Sequence, residues 1–479
     1  CCLSAIRILW IAKSFIDERK ERRAAMSEKS MIVDFTQGSA SKQLVVFAVP
    51  LLLSNLLQIV YNMVDMVIVG QVLGKVGLSA VSVGGDMTTF LTYLAIGFSN
   101  AGQVIIAQYI GAGERKRIGR FVGTMFTFLL SFAVVLSIVC LILRHQILDW
   151  MHTPAEAYSE AGAYATVCMI GLFFIYGYNV ISAVLRGMGD SKRPFFFISI
   201  AAVTNIVLDL LFVLVLNMGS MGAALATVMS QALSFLLCAL FIYRHRTQYE
   251  LTVENGRFFG IDGEMLGHLV KLGFPMALKS ASVNFSKLFV NSWLNSYGVA
   301  VSAFAGIASK INSISNLVSN AFSTAGSSMI GQNISAGKYE RVKKVMGSVF
   351  LMTTISSLLF SAAFLLFPQQ IYHIFISDAD AEVMDIGMRF IPIAILIFFG
   401  STARSGMNAL INGSGNHVVN FITAILDGIV LRIGLSVLFG LVFNMKEMGF
   451  WLGDALAGYT PLWIGLGLYF SGKWKKKTI

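Results

Sequence analysis

The sequence predicts an all-α polytopic membrane protein, with twelve transmembrane helices in two pseudo-symmetric six-helix bundles. Three observations predict it. Of 479 residues, 56% are hydrophobic and 13% charged, about half the charge of a soluble domain. The apolar residues fall into twelve long runs, where a β-barrel would show short alternating segments. The chain also repeats itself, its first six segments against its last six.

The segments are 44–69, 78–108, 118–143, 160–185, 195–217, 220–243, 267–296, 300–332, 345–367, 384–411, 417–443 and 448–471. Several exceed the ~20 residues that span a bilayer, so tilt or projection into water takes up the excess. The repeat is clearest where GFSNAGQVIIAQYIGAGERKR (97–117) aligns without gaps with AFSTAGSSMIGQNISAGKYER (321–341). Pro50 and Pro275 match within one residue, and RGMGD (186–190) resembles NGSGN (412–416). Two such halves in the same orientation form a parallel repeat of the transporter kind. The expected divisions are a tail (1–43), an N-terminal bundle (44–243), a polar linker (244–266), a C-terminal bundle (267–471) and a basic tail (472–479).

Outside the apolar segments, Lys and Arg gather on one face, as in GERKR (113–117) and KYERVKK (338–344). Only Lys75, Arg144 and Lys446 lie on the other, where acids gather as in SDADAEVMD (377–385). Positive charge marks the cytoplasmic side, so both termini are expected inside an inner or plasma membrane. The net charge of +11 is then topology and needs no nucleic acid. Residues 1–30 carry an apolar run too short to span and no cleavage site. Met26 or Met31 is the expected start.

The stretch NLLQIVYNMVD (55–65) sets Asn55, Gln58, Asn62 and Asp65 on one helical face. A carboxylate facing lipid costs about 2.5–3.5 kcal/mol on the insertion scale, so this face is expected to meet protein or a wet cavity. Segment 5 adds Asn205 and Asp209, one turn apart. Segment 7 carries a polar stripe through Ser280, Asn284, Lys287, Asn291 and Asn295, and segment 8 another through Ser309, Ser313, Asn316, Asn320, Ser323 and Ser327. These stripes outline a hydrated interior; individual Asn and Ser residues also serve as interhelical hydrogen-bonding groups. The C-terminal half has no acidic counterpart of Asp65. Its polar helices carry Lys279, Lys287, Lys310, Arg404 and Arg432, with Asp427. Asp427 and Arg432 are either a compensating pair or separate in role.

Other chemistry finds no support. No Walker A, HExxH, CxxC or GxSxG motif occurs, so neither an enzyme nor a resident cofactor or metal is expected. Cys140, Cys168 and Cys238 read as small buried hydrophobes. Gly119 and Gly123 form one GxxxG, read as packing within a monomer rather than a dimer face.

The pattern from Pro50 to YNMVD (61–65), the paired GQ and AG segments, RGMGD and the N-x-x-x-D of segment 5 together resemble the multidrug and toxic compound extrusion (MATE) family of cation-coupled exporters, over about residues 42–472. The resemblance implies two bundles in a V around a cavity that alternates between faces. It implies a cation or proton site on Asp65, with Gln58, Tyr61 and Asn62 beside it and Asn205 and Asp209 opposite. A fourth-helix Asn falls on Asn179, a sixth-helix Thr on Thr227, and the proline associated with helix bending on Pro50. Carboxylates that join sodium coupling in some members are absent here; helix 7 offers Val283 and Asn284 instead. The implied function is antiport of cationic or amphiphilic small molecules against protons, or sodium, by alternating access, with Asn284, Lys287 and Asn316 lining the cavity beside membrane lipid. The alternative is a flippase for a lipid or lipid-linked glycan, for which the basic residues of the second half would hold pyrophosphate.

Overall fold

The computed structural model describes residues 30–251, 258–374 and 381–476. Cys1, Cys2, Met26 and part of the acidic stretch 377–385 lie outside the described residues. Among those described there is no strand.

Helix α1 runs Ala40–Ala112. As one rod its 73 residues would reach about 110 Å, several times the thickness of a bilayer. It is two passes: Gly74 leaves helical geometry at φ 62°, ψ −153°, a conformation that costs a residue with a Cβ but not glycine. Val69 and Val81, on either side of the break, join one apolar cluster. Pro50 lies inside the first arm with helical dihedrals, and Ser54 Oγ donates to its carbonyl at 2.8 Å.

The N-terminal half continues with α2 (Lys116–Ile142), the short α3 (Arg144–Trp150), α4 (Tyr158–Gly187), α5 (Lys192–Asp209) and α6 (Gly219–Arg244). α5 passes directly into a π-helical stretch, Leu210–Val215. The C-terminal half holds α7 (Gly263–Asn295), α8 (Val299–Ser335), α9 (Tyr339–Leu366), the short α10 (Pro368–His373) and α11 (Ala381–Gly413). There follow α12 (His417–Ile425) and α13 (Leu431–Val437), joined by a π-helical turn, Leu426–Val430, and then α14 (Lys446–Ala457) and α15 (Thr460–Phe470). The two-bundle, twelve-pass architecture is the one expected from the apolar segments. Eight helices among the described residues are long and apolar enough to cross a membrane, the double-pass α1 counting as one. α7 and α8 fall outside that set because their polar stripes dilute them. The last pass is interrupted: Gly458 and Tyr459 turn between α14 and α15, and Pro461 starts α15, where its missing N–H removes no helical bond.

The repeated segments meet each other. Gln103 Nε2 donates to Ser328 Oγ at 2.7 Å and to the Thr324 carbonyl at 3.3 Å. Gln108 Nε2 donates to the Gly413 carbonyl at 3.0 Å. Gly111 approaches so closely that a Cβ would lie 2.0 Å from the Gln332 carbonyl oxygen. The matched Gly113 and Gly337 both adopt left-handed φ, 78° and 72°, ending the two helices alike. The halves therefore close against each other at the end that carries the basic loops. There, Leu44, Phe47, Ala48 and Leu51 of α1 pack into the C-terminal core, and Leu269, Leu272, Met276 and Ala277 of α7 pack into the N-terminal one. Gly123, read as a packing position, has the Phe258 carbonyl oxygen 1.9 Å from where its Cβ would be.

Residues 30–38 cross this closed end. Val33 N donates to the Met188 carbonyl at 2.9 Å and Met31 N to that of Gln248 at 3.0 Å. On the other half, Phe35 N donates to Gln332 Oε1 at 2.8 Å, and Arg341 donates to the carbonyls of Phe35, Gln37 and Gly38. The segment straps the two bundles together.

Candidate functional site

On α1, Tyr61, Asp65 and Val69 form the buried line, i to i+4, while Asn62 is exposed and Asn55 and Gln58 are half-buried. The polar face thus grades from protein to open space along one helix. Its buried edge meets α4, α5 and α6. Asp65 is 7% exposed, Asn205 1% and Asp209 0%.

These three side chains share one property. Asp65 Oδ1, both oxygens of Asp209 and both polar atoms of Asn205 are buried with no hydrogen-bond partner. Buried polar groups are nearly always paired, because an orphan forfeits its hydration without recompense. Asp65 and Asp209 lie within electrostatic reach of each other. Tyr61, Tyr164 and Cys168 also feel the Asp65 charge, and Gln231 and Gln58 lie near the Tyr61 hydroxyl. No cationic side chain contacts the pair in any described hydrogen bond or ion pair. Two ionised carboxylates in a low-dielectric pocket repel, so the pair favours a proton or another positive charge, which no described side chain bonded to it supplies.

The residues assigned beside it divide. Asn179 Nδ2 donates to the Ile175 carbonyl of its own helix at 2.8 Å. Thr227 is half-buried on α6 and its carbonyl accepts from Ser230 Oγ. Neither bonds a carboxylate of the pair. Pro50 sits well before Asp65 on the same arm.

In the C-terminal half, α8 buries Phe304, Ile307, Ala308 and Ile311 and exposes Ser309, Lys310, Ser313 and Asn320. A helix facing lipid would present the opposite pattern. Asn316 is tied within this polar face, donating to Asn312 Oδ1 at 2.6 Å and accepting from Ser401 Oγ at 3.2 Å. On α7, Asn284 Nδ2 donates to the Ser280 carbonyl at 2.8 Å. Lys279 Nζ reaches Asn408 Oδ1 on α11 at 2.5 Å.

Asp427 and Arg432 do pair, Oδ1 to Nη2 at 2.9 Å. Five residues apart, they would diverge on an α-helix; the π-helical turn at Leu426–Val430 stacks them. The sequence reading missed Asp454, which bonds the other side of the same guanidinium. It also missed Arg186, which donates to Gln103 Oε1 and Ser182 Oγ, both at 2.8 Å, behind the closed interface. No periodicity links Arg432 to Asp454 or Arg186 to Gln103; they lie 22 and 83 residues apart. Among the described residues, no group of three or more His, Cys, Asp or Glu side chains is placed to hold a metal.

Two bundles related by a repeat, enclosing polar stripes and an unpaired carboxylate pair, define the class: a membrane transporter, not an enzyme. A family model described as MatE matches residues 50–211 and 275–438, one stretch in each half, and the chain belongs to that family. It is 29% identical over 442 residues to the probable multidrug resistance protein YpnP of Bacillus subtilis, covering 92% of this chain and 97% of the relative. It is 24% identical over 443 residues to the probable multidrug resistance protein NorM of Thermotoga maritima, covering 91% and 94%. Among solved structures, an outward-facing MATE transporter superposes with a TM-score of 0.86 at 23% identity, over 94% of this chain and all of the other. A MOP superfamily transporter from Pyrococcus furiosus superposes with a TM-score of 0.85, also at 23% identity and the same coverage. These structures share the fold.

Proposed function

We propose that this protein exports amphiphilic, mostly cationic small molecules by antiport, with Asp65 and Asp209 as the coupling site and the proton as the coupling ion. The observation that carries the reading is the buried Asp65–Asn205–Asp209 group, in which Asp65 Oδ1 and both polar atoms of Asn205 and of Asp209 lack partners, inside a fold whose relatives are named as multidrug resistance proteins. A proton shared by the two carboxylates relieves their repulsion and removes charge from the pocket.

In this reading the bundles 44–243 and 267–471 rock as bodies, opening and closing the end that the strap and the Gln103–Ser328 interface hold shut. Both termini lie in the cytoplasm, as the basic loops require, so the closed end faces inward and the polar cleft outward. Proton entry from outside changes the packing of the Tyr61–Val69 line on α1 and releases cargo. The test is export of a cationic dye into inverted vesicles with proton and sodium gradients imposed separately. Asp65→Asn should insert normally and lose proton-driven dye uptake. Full uptake by that variant, or uptake driven by sodium alone, overturns the proposal.

A further inference from the structure

Between α7 and α12 the C-terminal half leaves a groove of about 390 Å³, lined by Lys271, Phe274 and Pro275 from one helix and by His417 and Phe421 from the other, with Val270 and Val418 beside them. Both helices start at the closed end, α7 from Gly263 and α12 from His417. Pro275 follows Lys271, and Phe421 follows His417, at the same spacing of i to i+4. The groove therefore carries its two polar side chains toward the closed end and its aromatic and proline surface one turn, about 5.4 Å, further in.

The apolar part is uncovered. Val270 is 37% exposed, Phe274 and Val418 54% each and Phe421 44%. The polar part is uncommitted. Lys271 and His417 are exposed, and neither makes a hydrogen bond or ion pair among the described residues. No Asp or Glu lines the groove; the acids that precede it on the chain, Asp262 and Glu264, are paired with Arg120 and Arg117. α7 cannot turn to fill the space, because its other side is committed to α1. A Cβ on Gly273 would lie 2.4 Å from the Phe98 ring, and one on Gly97 would lie 2.3 Å from Ala277 Cα.

We propose that this groove binds one anionic phospholipid from the leaflet at the closed end, with its phosphate on Lys271 and His417 and an acyl chain along Phe274, Pro275 and Phe421. An ammonium group and an imidazole N–H both donate to phosphate oxygens, and basic pockets between spans recognise lipid head groups in this way. A zwitterionic lipid brings an ammonium group as well, for which the groove has no carboxylate, so the anionic head group is selected. The seated lipid braces α7 on the side opposite its contact with Gly97 and Phe98. This site is apart from Asp65 and Asp209 and does not depend on the export reading.

The test places p-benzoylphenylalanine at position 421 of the full chain, in nanodiscs of equal parts phosphatidylglycerol and phosphatidylcholine with matched acyl chains. Irradiation captures the occupant of the groove, and mass spectrometry identifies it. Phosphatidylglycerol adducts should exceed phosphatidylcholine adducts about fivefold, the scale of one basic side chain at an anionic membrane surface. The same probe at position 270, on the facing helix, should give the same excess. The excess should fall toward one when Lys271→Gln and His417→Gln are combined, and persist in Lys271→Arg. Both side chains are exposed and unbonded, so these changes leave the fold intact. Adducts in the ratio of the bulk lipids overturn the proposal, as does an excess that survives the double Gln change. Capture of a second copy of the chain in place of lipid overturns it too.

Discussion

Arg432 shows what burying a charge demands of its surroundings. Its guanidinium is held from both sides by Asp427 and Asp454, and the unit is stable only as a whole. Arg432→Met strands two carboxylates and is expected to cost about 3–5 kcal/mol, while the triple change with Asp427→Asn and Asp454→Asn should recover most of that. Thermal unfolding in detergent, read by intrinsic fluorescence, compares the two; a single variant no weaker than the triple would refute the unit. Asp262 is simpler. It caps α7, accepting from the backbone N–H groups of Glu264 and Met265 at 3.0 and 3.1 Å, and pairs with Arg120 at 2.7 Å. The Met265 N–H bond is the main influence holding its carboxyl below the usual carboxylate range, burial opposing and Arg120 assisting. A depressed folded-state carboxyl contributes stability above its unfolded value and loses it as pH falls through the folded one. The Asp262→Ala variant should therefore lose about 1 kcal/mol at neutral pH, with the gap to the native chain closing in strong acid.

At the scale of elements, the strap from residue 30 to 38 joins halves that are far apart in sequence. Arg341 alone donates to the carbonyls of Phe35, Gln37 and Gly38 and to Gln43 Oε1. Opening the closed end must break these bonds or carry them along with one half. Arg341→Ala should shift the population toward the opened state. Ser328, fully buried in the closed interface, reports it: in a cysteine-free background, Ser328→Cys should react with a polar maleimide several-fold faster when Arg341 is also replaced. The π-helical turns carry a second element-scale lesson. Of three such stretches among the described residues, one follows Asp209 directly, one contains Asp427 and the third is Leu438–Val442, so the fifth helix of each half departs from α geometry at or beside its carboxylate. The sequence shows the carboxylates but not the turns, because an extra residue per turn leaves hydrophobic spacing almost unchanged over five residues.

For the whole molecule, the repeated segments 97–117 and 321–341 are the surface on which the halves close. Glycine is required where Gly111 meets the Gln332 carbonyl; Gly111→Val should hold that end open and abolish export while the chain still inserts. The converse is a lock. Gln103 and Ser328 touch at 2.7 Å, so a short bifunctional thiol reagent bridging Gln103→Cys and Ser328→Cys should stop dye export in vesicles, and reduction should restore it. Export that continues through the crosslink would mean that this interface does not open during transport.

Membership of the fold class was written into the sequence, because a bilayer tolerates few solutions: long apolar runs must be helices, basic loops must share a face, and a repeat of this length must fold twice. Asp65, Asn205 and Asp209 stood out for the same reason, since polar groups in apolar helices are costly wherever they lie. The tertiary structure alone decided what meets what. It left Asp65 and Asp209 without a cation and gave both Asp427 and Asp454 to Arg432. Charge and periodicity fix which face of a helix is polar, but the partner across that face is set by the packing of helices that lie up to hundreds of residues apart, and no local pattern records it.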